Sequence, residues 1–222
     1  MLILTLLLTA VISYLLGSCN SAIIVVKLLK HEDIREHGSK NAGLTNTLRC
    51  YGKVPALLTL IGDLAKGVVA VLISLQIAKL LMGADFESVH ALVDKRTIGY
   101  ISGLFSIIGH IFPLYYGFKG GKGVLSAVSA IFVLDWRTGL ILMAVFITIV
   151  AITRYVSLGS CISSALFCVC TLLFGRFADN DPAWLINFFI AAFMGALVIF
   201  MHRGNIHRLL THTEKKLGEK ST

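Results

Sequence analysis

Long apolar runs recur along this chain between short polar loops, and a run of about twenty residues crosses the hydrocarbon layer of a bilayer as one helix. Backbone in hydrocarbon must satisfy its own N–H and C=O groups, so such runs are helical. The runs lie at about Leu2–Val26, Val54–Met82, Thr97–Tyr116, Val124–Leu134, Thr138–Ile152, Val156–Phe174 and Ala183–Met201. They predict an all-α, polytopic integral membrane protein of about seven transmembrane helices, some of them short. A hydrophobic fraction of 56% with only 14% charged residues excludes an ordinary water-soluble domain. No soluble domain, repeat or low-complexity segment is visible, so residues 1–222 read as a single domain.

The two central runs, on either side of Asp135-Trp136-Arg137, are each shorter than a standard span. A hairpin of short or oblique helices, with Trp136 at the outer interface, is preferred to a re-entrant pair. The net charge of +8 raises nucleic acid as a partner, but most of the cations sit in short loops and are better explained by membrane orientation. On the predicted path, fourteen basic residues fall on one side and four on the other. The positive-inside rule then places the N-terminus outside and the C-terminus in the cytoplasm, with the mixed-charge loop from Gly83 to Arg96 outside. The first run has no basic residue before it and reads as a retained helix rather than a cleaved signal. The five cysteines include no CxxC pair and read as small core residues.

Polar chemistry collects at the predicted cytoplasmic ends. In GHIFPLYYGFKGGKGV, Gly109 to Val124, the cations Lys119 and Lys122 flank Gly120, Gly121 and Gly123. Bare backbone N–H groups and two ammonium heads suit an oxyanion such as phosphate. The stretch is not a nucleotide P-loop: Tyr116 stands where the first glycine belongs and Gly123 where a Mg²⁺-binding hydroxyl belongs. The loop GSKNAGLTNTLR reads equally well as a turn leading into a helix or as a site, in which Ser39, Asn41, Thr45 and Asn46 offer neutral groups and Arg49 a bidentate grip on phosphate. Ser157 and Ser160 suit either helix packing or the site, and Arg154 suits an interfacial anchor. His202 and Asn205, three apart, share a helical face. Asp63 and Lys66, inside the second run, read as an ion pair beneath the site, and Gly99, Gly103 and Ser106 as a packing stripe.

These segments, in this order, resemble the bacterial acyl-phosphate:glycerol-3-phosphate acyltransferases, the PlsY family, over nearly the whole chain. The family pairs an SGNxGxTNxxR-like loop with a GHxFPxxxxFKGGKG hinge and an HxxNIxRL segment. The hinge is the most specific match, and Asp63, Lys66, Arg154, Ser157, Ser160 and Glu214 agree as well. The chain departs from the family pattern at Lys40 (usually Gly), Ala42 (Pro), Leu44 (Ala) and Cys19-Asn20 (an apolar residue and Pro).

The resemblance implies acyl transfer from acyl phosphate to the sn-1 hydroxyl of glycerol 3-phosphate, giving lysophosphatidic acid, at the inner face of the bacterial cytoplasmic membrane. It implies these two substrates and membrane lipid as partners and no nucleic acid; no metal-ligand set at usable spacing is visible, so no metal or cofactor is expected. Acyl phosphate has a good leaving group, so direct attack by the hydroxyl needs no covalent intermediate. On this reading Lys119, Lys122 and the Gly120, Gly121 and Gly123 amides take the acyl-phosphate anion. Ser39, Asn41, Thr45, Asn46 and Arg49 then hold glycerol 3-phosphate, with Arg154, Ser157 and Ser160 contributing and Asn205 and His202 nearby. The proton acceptor is left open among His110, His202 and a phosphate oxygen. The HxxxxD pair of other glycerolipid acyltransferases is absent: Lys95 follows His90 by five. The alternative from another class is a transporter or flippase for a phosphorylated lipid or organic phosphate, whose site belongs near the bilayer midplane rather than at one face.

Overall fold

The computed structural model of the chain describes residues 1–83 and 93–219, so most of the expected outer loop and Lys220 lie outside the described residues. Among the described residues every regular element is helical, with ten α-helices. In chain order these are α1 Leu2–Ser18, α2 Ser21–Lys30, α3 Leu44–Tyr51, α4 Lys53–Met82, α5 Lys95–Ile111, α6 Val124–Leu134, α7 Trp136–Thr153, α8 Val156–Leu172, α9 Trp184–Met201 and α10 Arg203–Leu210. The chain is a multi-pass membrane protein. Among the described residues six helical stretches are long and apolar enough to cross a bilayer: Leu2–Lys30, Lys53–Met82, Lys95–Tyr116, Trp136–Thr153, Val156–Ala178 and Trp184–Met201.

Two expectations about the spans change. The second central run is not short: Asp135 accepts the Arg137 N–H and caps a helix of 18 residues that runs to Thr153. Its partner α6 has 11 residues, about half of what a span takes. It nevertheless runs from the glycine hinge to Asp135, which belongs to a polar cluster at the opposite end of the bundle. There Arg137 pairs with Asp135 at 2.9 Å and with Asp179 at 2.6 Å, and Asp179 also holds Arg96 at 2.6 Å. The hydrogen bonds from Arg137 and Arg96 bring the Asp179 carboxyl down to about 2, against burial, which works to raise it.

The first span is likewise not one helix. It breaks at Cys19-Asn20, where the Asn20 side chain accepts the Ile23 N–H and starts α2 afresh.

Small residues set the close packing of α1 on α5. A side chain added at Gly17 would run into the backbone of Ser106, and one at Gly109 into the backbone of Tyr14. The expected packing stripe is where α6 and α9 seat on α5: Gly103 lies against Ala130 and Met194, and Gly99 against Leu134 and Val71. One apolar core joins α5 to α9 through Tyr100, Ile107, Phe167 and Met194, and a smaller one places the loop after α2 through Ile34 and Ala42. The cysteines do not all belong to these cores: only Cys170 is buried, and Cys19 is exposed where the helix break turns it outward.

Candidate active site

A cavity of about 710 Å³ opens at the end of the bundle where α5 finishes and α6 and α8 begin. Its walls are the loop Gly38–Arg49, the hinge from Gly120 to Leu125, the start of α8, the α9–α10 junction and the tail residues Thr213–Leu217, and Asp63 and His110 reach it from within the spans. Thus segments far apart in sequence meet at one mouth.

The first loop is shaped from inside. Asn46, expected to touch substrate, lines the cavity but is 1% exposed, and its groups are occupied. Oδ1 accepts the Ser39 N–H at 2.9 Å, and Nδ2 donates to the His37 carbonyl at 3.0 Å. It is the loop's internal brace. The side chains of Ser39, Asn41, Thr45 and Arg49 also line the cavity, and none makes a hydrogen bond or ion pair among the described residues.

The departures at Lys40, Ala42 and Asn20 each have a place in this loop. Lys40 adopts a left-handed backbone, φ 58°, the conformation a glycine takes most easily, and adds a cation to the rim at a cost of about 1–2 kcal/mol. Asn20 donates to the carbonyl of Ala42 at 3.2 Å, so two of the departures bond to each other.

The hinge is tied down at its backbone, which corrects two further expectations. The Gly120 N–H donates to the Ile111 carbonyl and the Gly121 N–H to that of His110, both at 3.1 Å. Those amides fold the hinge back on α5 and are not free for an anion. Gly123, at φ 84°, starts α6, whose first turn carries no side-chain cap and lines the cavity at Val124 and Leu125. Lys119 is exposed and outside the cavity wall; its carbonyl accepts from Arg35 at 3.2 Å, and Tyr116's does at 2.7 Å. Arg35, which carried no motif signal, clamps the hinge to the first loop.

Lys122 is the hinge cation that faces the cavity. Its Nζ donates to Oδ1 of Asn205, and Asn205 Nδ2 donates to Glu214 Oε1 at 2.6 Å. Ser157 donates to the same oxygen at 2.8 Å, and Arg208 Nε holds Oε2 at 2.7 Å. Burial works to raise the Glu214 carboxyl, but these hydrogen bonds outweigh it and hold it below its ordinary value. Burial also brings the Lys122 ammonium down to about 8, opposed by Glu214. Glu214, expected only as a family agreement, and Arg208 are thus the frame of the site.

His202, 4% exposed, lines the cavity at the junction of α9 and α10 and hydrogen-bonds through Nδ1 to the Val198 carbonyl at 2.8 Å. Burial, reinforced by Lys122, lowers its imidazole to about 4. Ser160 lines the cavity while donating to the Val156 carbonyl at 2.9 Å. Arg154 does not line it: Arg154 and Leu217 exchange two hydrogen bonds at 2.7 Å, which pin the tail across α7 and α8.

The buried ion pair is present, with Lys66 Nζ 2.9 Å from Asp63 Oδ1, and His110 completes a triad 2.8 Å from Lys66. A second, apolar cavity of about 150 Å³ lies among α4, α6, α7, α8 and α9 and shares the lining residues Val124, Leu125, Phe146 and Ser160 with the polar one. A ligand with an anionic head and an apolar tail fits that junction by chemistry alone.

A family model described as glycerol-3-phosphate acyltransferase matches residues 7–212. Glycerol-3-phosphate acyltransferases of Clostridioides difficile (strain 630) and Francisella tularensis subsp. tularensis (strain FSC 198) are similar to this chain. They are 41% and 40% identical over 211 residues, which is 95% of this chain and 95% and 92% of theirs. The fold is also that of PlsY, an integral membrane glycerol 3-phosphate acyltransferase, in its glycerol 3-phosphate form: TM-score 0.77, 34% identity, 96% of each chain. Its lysophosphatidic acid form matches at TM-score 0.74 and 32% identity, over 96% of this chain and 95% of that one. On sequence and fold together, this chain belongs to the PlsY family of integral membrane glycerol-3-phosphate acyltransferases.

Proposed function

We propose that the protein transfers a fatty acyl group from acyl phosphate to the sn-1 hydroxyl of glycerol 3-phosphate, releasing phosphate and lysophosphatidic acid, in the first step of phospholipid synthesis. The observation that carries this reading is that the polar and apolar cavities lie side by side, sharing the lining residues Val124, Leu125, Phe146 and Ser160. A phosphate head beside Lys122 leaves an acyl chain in the apolar cavity, with its carbonyl at the junction.

In this reading Lys122, Asn205 and the uncapped first turn of α6 receive the acyl phosphate. A helix start with free N–H groups attracts an anion, and a half-buried ammonium reinforces it. Arg49, Ser39, Asn41 and Thr45, whose side chains have no hydrogen-bond or ion-pair partner among the described residues, hold glycerol 3-phosphate on the opposite wall. The hydroxyl oxygen attacks the acyl carbon, the bond from that carbon to the phosphate oxygen breaks, and the electron pair leaves on phosphate. The hydroxyl proton passes to a nearby acceptor. Aligning two anionic substrates and neutralising their charge is the enzyme's main task.

The excess of basic residues on the cavity side supports an opening to the cytoplasm from a bacterial inner membrane, with the N-terminus outside. The test is phosphate release from palmitoyl phosphate by the detergent-purified protein, with and without glycerol 3-phosphate, and comparison of the lipid formed with a 1-acyl standard. Release that depends on glycerol 3-phosphate supports the reading. Its absence from folded protein, with movement of labelled glycerol 3-phosphate across proteoliposomes, would replace it with transport.

A further inference from the structure

We propose that His110 is a hydrogen-bond donor to an anionic substrate oxygen and not the proton acceptor, because Lys66 fixes which of its ring nitrogens carries the hydrogen. The inference rests on the acyl-transfer reading above. Lys66 is 7% exposed and reaches three acceptors: Asp63 Oδ1 at 2.9 Å, the Cys19 carbonyl at 3.2 Å and His110 Nδ1 at 2.8 Å. An ammonium group has three hydrogens and no lone pair. Each of the three contacts therefore uses one hydrogen, and Nδ1 must supply the lone pair. In a neutral imidazole the hydrogen then sits on Nε2.

The competing arrangement, in which Nδ1 carries the hydrogen and donates to Asp63, fails on distance. Nδ1 is 3.7 Å from Asp63 Oδ1, beyond a hydrogen bond, while Lys66 stands closer to both. Nε2 packs beside Gly121, where an added side chain would collide with it, and His110 lines the polar cavity. The absence of a side chain at 121 therefore leaves room beside Nε2. With its Nδ1 lone pair committed to Lys66 and its Nε2 lone pair replaced by N–H, the ring has nothing to accept a proton with. It offers an N–H of fixed direction to a phosphate or developing carbonyl oxygen, beside the Lys122 hinge. Lys66 and Asp63 act as positioning residues through it. The proton acceptor is narrowed to His202 or a substrate phosphate oxygen.

The experiment compares His110→Leu with His110→Gln in the palmitoyl phosphate assay, with ¹⁵N-histidine spectra of the wild type in detergent. Gln carries an N–H donor near the position of Nε2 but cannot serve as a base. A donor role predicts that His110→Leu loses about 10²–10³-fold in kcat with a smaller change in KM, and that His110→Gln stays within about tenfold of wild type. Equal loss in both folded variants would overturn the proposal. Should either variant misfold, the spectrum decides. One histidine, missing from the His110→Leu or His110→Gln spectrum or from that of any other His110 substitution that folds, must show Nε2–H and a bare Nδ1 throughout the active pH range. An Nδ1–H signal for that ring sinks the proposal. A paired Asp63→Asn, Lys66→Met variant is expected to mix the two tautomers; an unchanged single tautomer there would remove Lys66 from the positioning role. Wild-type protein that does not transfer acyl groups would instead defeat the functional reading, leaving the spectrum to judge the tautomer alone.

Discussion

Lys122 donates a hydrogen bond to Asn205, 83 residues further along the chain, and so ties the glycine hinge to the short helix that follows the last span. Asn205 passes the contact on to Glu214, and Glu214 to Ser157 and Arg208. A cation held at the end of such a chain is aimed before substrate arrives, which lowers the ordering cost of binding.

Replacing Lys122 with Ala should reduce glycerol 3-phosphate-dependent phosphate release by about 10²–10³-fold, the range for loss of one donor to developing negative charge. Lys119→Ala, an exposed residue off the cavity wall, should stay within about threefold, since an exposed charge contributes little. Steady-state rates of the two purified variants check the contrast. Equal losses would mean that both lysines meet substrate.

Arg49 and Arg154 separate in the same way. Losing a charge-assisted bond to phosphate costs about 1.5–3 kcal/mol, so Arg49→Ala should raise KM for glycerol 3-phosphate by about 10- to 100-fold. Arg154→Ala should leave KM within about threefold while loosening the tail, visible as faster proteolysis, since it removes the side-chain bond to Leu217 and leaves only the backbone one. Titrating glycerol 3-phosphate against each variant measures both effects.

Asn46→Ala should act through stability. It removes the acceptor for the Ser39 N–H and the donor to the His37 carbonyl from a 1% exposed site, a loss of about 1–3 kcal/mol. Thermal unfolding in detergent should show a lowered midpoint. An unchanged midpoint with a raised KM would return Asn46 to direct substrate contact.

The pH profile follows from Lys122. Its ammonium is lowered to about 8, so the cation is present below that pH and is lost as pH rises through it. Substrate affinity should fall on the alkaline side near 8, and a bound phosphate, which favours the charged form, should move the limb upward in kcat relative to kcat/KM. His202, lowered to about 4, is neutral through the whole range and contributes no limb near neutrality. A profile flat past pH 9 would contradict the assignment, since an ammonium titrating at about 8 is then mostly neutral.

Much of this was legible in the sequence because membrane spans and glycine-lysine hinges are local patterns. The apolar runs gave the helices, and the hinge, Arg49, Lys122, His202 and Asn205 were visible as polar groups at one set of span ends. What was not legible depends on partners distant in sequence. Nothing local distinguishes Lys119 from Lys122, since only the path of the hinge decides which one faces inward. Nothing in GSKNAGLTNTLR marks Asn46 as a brace while Asn41 stays open. Gly120 and Gly121 look like an anion cradle until their N–H groups are seen to fold back on α5. Arg35 lies in no motif, and its clamp on the hinge depends on carbonyls more than eighty positions away. The bond between the departures at Asn20 and Ala42, twenty-two positions apart, can be read only in three dimensions.

The interruption of the first span at Cys19-Asn20 frees peptide groups that a continuous helix would consume. Asn20 takes the Ile23 N–H, and the Cys19 carbonyl turns to Lys66, while the Ser21 N–H lies 3.4 Å from Asp63 Oδ1. An acceptor thus faces the buried cation and a donor faces the buried anion. Those two peptide groups serve the pair as a hydration shell would at an open surface, supplied permanently by the backbone at a depth where water is scarce. A substitution at Asn20 that let the helix run through would strip that shell from Lys66 and Asp63 without touching either side chain.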